Sequence, residues 1–353
     1  MRLLHTADLH LGHEEGRSLA ALDALLEVAA REEVDALTVG GDLFDSATDA
    51  DRLRPALRER FADNPFEVVV VPGNRDADAF GGNVDFGPDL SVLSTDPFET
   101  RAVGDGEVVG VPDRDRLGEE LFFSLRDRDP EDAVVLVHCT VDVAFGADAA
   151  GVDEPASYFP VQKATLGELG YEFVLGGHLH ADLYQTKLSN GGLFIYPGSP
   201  LSHSWAETGR RHAVLVDTDD DNVRPVNLDT YYRDRFSESV RPGEGYDLID
   251  RVERWVDGHA EDCDLEVHVD GFIERDPTTF DERLRAVAGP ATVRNETASI
   301  ADALDHPIYA DFVDRVADLD RSEYEAVDDT DQLERRVLET LARLIEANEV
   351  SGA

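Results

Sequence analysis

Arg2-Leu3-Leu4-His5-Thr6-Ala7-Asp8-Leu9-His10-Leu11-Gly12 opens the chain with an apolar run that ends on an Asp-x-His pair, and the same construction recurs downstream. Residues 2–7 read as a strand, so Asp8 and His10 fall just past its end. A second strand over 36–39 runs into Gly40-Gly41-Asp42, and a third over 67–71 runs into Pro72-Gly73-Asn74-Arg75-Asp76. Strands over 133–137 and 172–175 deliver His138 and then Gly177-His178-Leu179-His180. Leu19, Leu22, Leu26 and Ala29, then Leu53, Leu57 and Phe61, recur at helical spacing between the first three strands. Strands alternating with helices, each strand ending on polar ligands, predict an α/β sandwich with a site at the strand ends. Hairpin-like strands over 183–188 and 193–196 flank Ser189-Asn190-Gly191-Gly192, and strands over 213–217 and 224–227 follow.

Past Tyr231 the pattern changes. Leu248, Val252, Trp255 and Val256 form a helical stripe, Leu265, Val267 and Val269 alternate as a strand, Phe280, Leu284 and Val287 repeat the helix, and 291–294 repeats the strand. This predicts a small α/β module over 231–300 after a first domain over 1–230. From 301 to 353 two amphipathic helices are expected, one carrying Ile308, Phe312, Val316 and Leu319, the other Leu333, Val337, Leu341, Leu344 and Ile345. An acidic stretch over 323–331 separates them. The helices either pack on their own domain or form a partner-binding tail.

Composition bounds the function. The 353 residues, 42% hydrophobic, are enough to bury a large core in more than one domain. The formal charge is −44, from 76 Asp and Glu against 32 Lys and Arg. The acids are spread among periodic apolar residues, which predicts an acidic coat on a folded surface rather than a disordered tail. Only Lys163 and Lys187 are lysines, and arginine carries the remaining positive charge. That balance suits multimolar salt, where the Debye length is about 3 Å at 1 M and self-repulsion is screened. In such a setting net acidity does not exclude a nucleic-acid substrate. No apolar run approaches the roughly 20 residues that span a bilayer, and the start of the chain enters a strand directly rather than a cleavable signal. Cys139 and Cys263 make no disulfide framework. A cytoplasmic protein without membrane contact is expected, with Cys139 packed in the core.

The ligand types point to a pair of divalent ions. Two ions held about 3.5 to 4 Å apart need a bridging anion and several ligands each, with positions left open for water and substrate. Asp42 is the natural bridge. Asp8, His10 and His180 would complete one ion's shell, and Asn74, His138 and His178 the other's. Carboxylate, amide and imidazole together suit manganese, with iron or zinc as alternatives, better than calcium. The remaining histidines, His5, His13, His203, His212, His259, His268 and His306, read as surface or packing residues, with His13 and His203 the two to watch.

At these clusters the chain resembles the calcineurin-like metallophosphoesterases, and residues 4–12 with Tyr196-Pro197-Gly198-Ser199-Pro200 are similar to the SbcD branch, the nuclease subunit of the SbcC and SbcD double-strand-break repair complex. The resemblance covers the chain to about residue 230 by motif, and beyond that only by architecture. It implies a four-layer αββα domain, manganese-dependent phosphodiester cleavage on DNA, a DNA-contacting cap and a homodimer. It also implies docking of the C-terminal helices on an SbcC-like, SMC-type coiled-coil ATPase. All seven implied ligands are present: Asp8, His10, Asp42, Asn74, His138, His178 and His180. The departure is Arg75, which stands where the family pattern has a histidine near the scissile phosphate. Arginine grips phosphate oxygens bidentately but cannot serve as a general acid, its pKa lying above about 12. Arg75 and Asp76, the latter expected to orient the guanidinium, are therefore the candidate catalytic pair. A DNA nuclease is the leading reading. A weakly active DNA-binding scaffold and a phosphoesterase for small substrates are the alternatives.

Overall fold

The computed structural model describes residues 1–353 except 82–84, 142–158, 221, 242–243, 260–261, 275, 318–329 and 347–353. In chain order the strands of the first part are β1 (Arg2–Thr6), β2 (Ala36–Val39), β3 (Glu67–Val70), β4 (Leu90–Val92), β5 (Glu99–Val103), β6 (Gly106–Val111) and β7 (Ala133–His138). There follow β8 (Thr140–Val141), β9 (Pro160–Val161), β10 (Phe173–Gly177), β11 (Tyr184–Lys187), β12 (Leu193–Tyr196), β13 (His212–Asp217) and β14 (Asn222–Asn227). One six-stranded sheet has the order β14-β13-β1-β2-β3-β4, and a second has β11-β12-β10-β7-β6-β5. The strands from β1 to β4 are parallel, as are β12, β10, β7 and β6.

Side-chain alternation along each strand builds the layers. Leu3, Val69, Val71 and Val214 of the first sheet meet Val134, Leu136, Phe173, Leu175 and Ile195 of the second in a shared inner core. Leu4, Leu37, Val39, Val68 and Val70 point the other way, under Leu22 and Leu25 of α1 (Glu15–Arg31) and Leu53 and Leu57 of α2 (Ala47–Arg60). Leu19 and Leu26 pack at the margin of that core. The outer face of the second sheet is covered by the helix Glu119–Arg126, through Leu121 and Leu125, and by Leu166 of the helix Lys163–Glu168. The result is the four-layer αββα sandwich. Cys139 is fully buried in the outer core of the second sheet.

The chain divides into two compact units, Met1–Arg233 and Asp234–Ala353, the division falling within β15 (Tyr232–Val240). In the second unit β15, β16 (Cys263–Ile273) and β17 (Thr292–Ser299) form a three-stranded sheet. Leu248 and Val252 of the helix Gly245–Asp257 and Leu284 of the helix Pro277–Ala288 pack on Val267 and Val269 of β16. Helices Pro307–Ala317 and Thr330–Glu346 follow, and Leu338, Leu341 and Ala342 of the latter are buried with Phe272 of β16, Ile300 and Ala303. Most of the acidic stretch expected over 323–331, and the side chains of Val316, Leu319 and Leu333, lie outside the described residues. Among the described residues no helix is long and apolar enough to cross a membrane.

Candidate metal centre

Five strands carry the candidate residues to one edge. β1, β2 and β3 are adjacent and parallel, so Asp8, Asp42 and Asn74 leave the first sheet at its C-terminal edge. β7 and β10 are likewise adjacent and parallel, and deliver His138, His178 and His180 from the second. The carboxyl ends of parallel strands are where α/β sheets open a crevice for ligands. Backbone bonds knit the loops together, Asp8 N–H donating to Gly41 O at 3.1 Å and His10 N–H to Asp42 O at 3.0 Å. Two glycines make the approach possible. Gly41 has φ 101°, and a Cβ there would overlap the His138 ring; a Cβ on Gly177 would overlap the Gly40 carbonyl. Asp8, His10, Asp42 and His178 themselves have φ of 57°, 45°, 48° and 106°. Left-handed backbone at non-glycine residues costs on the order of 1–3 kcal/mol each and persists only where the surroundings enforce it, most often at functional sites.

The side chains converge. Ligand atoms of Asp8, His10 and His180 lie within 4.8 Å of one another, and so do those of Asp8, Asp42 and His138. Asp42 Oδ2 is 3.9 Å from His10 Nε2 and 3.6 Å from His138 Nε2, a position between the two halves of the centre. Asn74 Oδ1 is 2.9 Å from His138 Nε2. His178 gives its backbone N–H to both Asp8 oxygens, at 3.2 and 2.9 Å, and its ring centroid is 5.2 Å from that of His138. Its imidazole belongs to neither of the two tight groups.

The donor set fits divalent cations. His138 Nδ1–H donates to Gly40 O at 2.8 Å, which leaves the Nε2 lone pair facing the Asn74 amide oxygen. His180 Nδ1–H donates to Glu207 Oε1 at 3.3 Å, and its Nε2 lies 3.1 Å from His10 Nε2. Imidazole nitrogens and an amide oxygen packed this closely in a buried site are a donor set that a positive charge between them would satisfy. Burial makes the same demand of the carboxylates. Among the described residues Asp8, Asp42, Asp76 and Glu207 are the only buried acids, and all four are here, in a chain with 76 Asp and Glu. Burial, with the charge of Asp42 adding to it, raises Asp8 to about 6 and Asp76 to about 7. Burial and then His138, His180 and Arg75 push His178 down to about 3. A bound cation holds such carboxylates ionised and takes its imidazoles neutral.

Arg75 and Asp76 part company. Asp76 is fully buried and accepts from Gly73 N–H at 2.7 Å and Phe44 N–H at 3.2 Å. Its oxygens thus tie the third loop to the second, instead of orienting the Arg75 guanidinium as its sequence position suggested. Arg75 fixes the centre through its backbone, its N–H donating to Asp42 Oδ1 at 2.9 Å. Its side chain is exposed and makes no hydrogen bond or ion pair among the described residues, while its charge reaches both His10 and His178.

Sequence reasoning missed Glu207 and Arg211, and it left His203 only as a residue to watch. His203 Nε2–H donates to Asp8 O at 2.9 Å, and its ring lies 5.0 Å from His10, 5.6 Å from His180 and 5.7 Å from His13. Burial works against the Glu207 anion, yet the His180 bond and the charges of His180 and His203 hold its carboxyl down at about 2. Arg211, 2% exposed, donates to the carbonyls of His180, Ala181 and Ser199. One acid among 76, on a loop without periodicity, carries no mark in the sequence.

The sandwich and its centre define a class, and residues 1–182 match the calcineurin-like phosphoesterase family. The chain belongs to that family, whose members are two-metal enzymes. It is 28% identical over 264 residues to the SbcD component of the Bacillus subtilis nuclease SbcCD, covering 61% of this chain and 66% of that one. An 87-residue stretch is 40% identical to the SbcD component of the Escherichia coli K12 nuclease SbcCD, 22% of each chain. The DNA double-strand break repair protein Mre11 of Methanopyrus kandleri is 27% identical over 232 residues, 57% of this chain and 49% of that one. The chain thus spans less than two thirds of the length of each of these relatives. The relatives support the SbcD-type branch within the family.

Proposed function

We propose that this chain is a two-metal phosphodiesterase that cuts DNA, an SbcD-like exo- or endonuclease of double-strand-break repair or recombination. The observation that carries the reading is the convergence of four buried carboxylates, exceptional among the described residues, with imidazole nitrogens and the Asn74 amide oxygen, beside an exposed Arg75 that has no ion pair among the described residues. Asp8, His10 and His180 would hold one ion, Asn74, His138 and His178 the other, and Asp42 both. Two divalent ions, with Mn2+ suiting this donor set and Fe or Zn as alternatives, would supply charge stabilisation and an acidified water for in-line attack at phosphorus.

The chain's own groups do the rest. The Gly40 carbonyl and Glu207 fix the protons of His138 and His180 on Nδ1, so both present Nε2 to the centre. The Arg75 N–H orients Asp42. The Arg75 guanidinium is free to grip non-bridging phosphate oxygens, but it hands no proton to the leaving oxygen. That last property favours the second reading, a DNA-binding scaffold of low turnover.

Residues 1–230 form the nuclease domain, 231–300 a DNA-contacting cap, and 301–353 a tail that docks an SbcC-like coiled-coil ATPase, within a salt-adapted, cytoplasmic homodimer. The test is degradation of linear duplex DNA with Mn2+ in multimolar KCl. The expected result is cleavage that Asp42→Ala abolishes. Cleavage surviving in Asp42→Ala overturns the two-metal reading, and hydrolysis of bis-aryl phosphates with DNA left intact would favour small substrates instead.

A further inference from the structure

Glu207 sits outside the expected ligand set, yet it is 1% exposed and its carboxylate is saturated with donors. Oε2 accepts from Ser199 Oγ at 2.9 Å and from His203 N–H at 2.8 Å. Oε1 accepts from His180 Nδ1 at 3.3 Å and from Ser204 Oγ at 3.4 Å. With two donors in reach of each oxygen, the carboxylate is restrained in its orientation toward His180. The segment that carries it is anchored in turn. Arg211 Nη2 donates to His180 O at 2.6 Å and Ala181 O at 2.8 Å, its Nε to Ser199 O at 3.0 Å, and Ser199 N–H to His180 O at 3.1 Å. From the same segment His203 Nε2–H reaches Asp8 O at 2.9 Å, restraining the left-handed backbone at Asp8.

The stretch from Ser199 to Arg211 therefore holds the ring of His180, which belongs to the Asp8, His10 and His180 group alone, and the backbone of Asp8, which belongs to both groups. His138 is oriented by a different acceptor, the Gly40 carbonyl. We infer that Glu207 is the positioning residue for the ion at the Asp8, His10 and His180 end, acting through His180, and that it leaves the other ion untouched. This rests on the two-metal reading above. A carboxylate behind a ligating histidine fixes its tautomer and raises its basicity, and loss of such a partner typically weakens metal binding by about 10- to 100-fold. In Glu207→Gln the amide can still accept from His203 N–H. An NH2 facing His180 Nδ1 then drives the imidazole proton to Nε2, the atom the ion needs.

The experiment is Mn2+ binding to the full chain, followed by calorimetry and by the electron-spin signal of free Mn2+, in multimolar KCl to suppress binding to the acidic surface. The wild type is expected to take two ions. Glu207→Gln is expected to take two with one about 10- to 100-fold weaker, and to add no further loss in a His180→Ala background. Glu207→Asp keeps the charge but shortens the reach to His180; it shows the same selective loss and serves as the second variant if the glutamine protein does not fold. A wild type that binds fewer than two ions overturns the two-metal reading and this inference with it. Two ions in the wild type with Glu207→Gln unchanged, or with both sites weakened alike, overturns the inference alone.

Discussion

On the function proposed above, Arg75 would stand beside the scissile phosphate, where a guanidinium binds phosphate oxygens but supplies no proton. General acid catalysis is worth about 10²- to 10⁴-fold, so Arg75→His is expected to raise kcat on DNA by up to that factor, with little change in Mn2+ affinity. Arg75→Ala should lower both DNA affinity and turnover. Equal rates for wild type and Arg75→His, measured under saturating Mn2+, would show that no proton donor is missing and would remove the support for the scaffold reading. His5 matters in another way. It is fully buried, donates from Nε2 to Gly176 O of the second sheet at 3.0 Å, and lies 3.1 Å from Thr38 Oγ1 of the first, tying the sandwich together. Burial lowers its pKa from 6.5 to about 4. The folded state thus refuses a proton that the unfolded chain takes, and the stability present above pH 6.5 drains away as pH falls toward 4. At about 1.4 kcal/mol per pH unit this is on the order of 3 kcal/mol. Urea melts at pH 7 and pH 4.5 should show that loss reduced in His5→Gln; an identical loss in the variant would assign it elsewhere.

The turns after β2 and β10 decide how closely the two sheets approach at the site. Gly41 has no room for a Cβ and a φ that only glycine adopts readily. Gly41→Ala is expected to displace His138 and to abolish binding of the ion at that end, read as a fall from two Mn2+ per chain to one. In contrast, α1 contributes stability alone. Leu25 is fully buried against the first sheet, and Leu25→Ala should cost about 2–5 kcal/mol in a denaturant melt. The Mn2+ stoichiometry of the folded protein should not move, and a change in it would mean that α1 shapes the loops. Strands with uninterrupted apolar runs, such as β3 and β7, were legible by pattern. β5 and β6 were not. β5 is an edge strand with three exposed residues, and glycines 106 and 110 break the apolar run of β6. Gly110 is there because Leu93 and Val71 occupy the space where its side chain would be, a tertiary demand that leaves no local signal.

Across the whole molecule the charge of −44 has to be reconciled with two compactly folded units. Among the described residues every buried acid belongs to the metal centre, so the remaining described acids lie at or near the surface and repel one another through solvent. Salt shortens the reach of that repulsion from about 10 Å at 0.1 M to about 3 Å at 1 M. Thermal melts are expected to show a melting temperature that rises steadily between 0.1 and 3 M KCl. A flat profile would contradict salt adaptation. The helix Thr330–Glu346 packs Leu338, Leu341 and Ala342 onto its own unit, while Ile308 in the helix Pro307–Ala317 stays 53% exposed. Tyr309 of the helix Pro307–Ala317 packs against that same cluster, so both helices make contacts within their own unit.

The sequence by itself determined the candidate ligands and the edge of the fold that carries them. Asp8, His10, Asp42, Asn74, His138, His178 and His180 follow strands whose apolar periodicity is local, and parallel strands must present their ends together. Only the tertiary structure decided which groups hold those ligands in place. Glu207, His203, Arg211 and the sheet-bridging His5 act across 27 to 195 residues of chain, as in the bonds from His180 to Glu207 and from His203 to Asp8. Asp76 lost its expected partner for the same reason: two backbone N–H groups in a buried turn offered its carboxylate more than an exposed guanidinium could. Contacts of that range are set by how the two sheets stack, and stacking leaves no periodic trace in the chain.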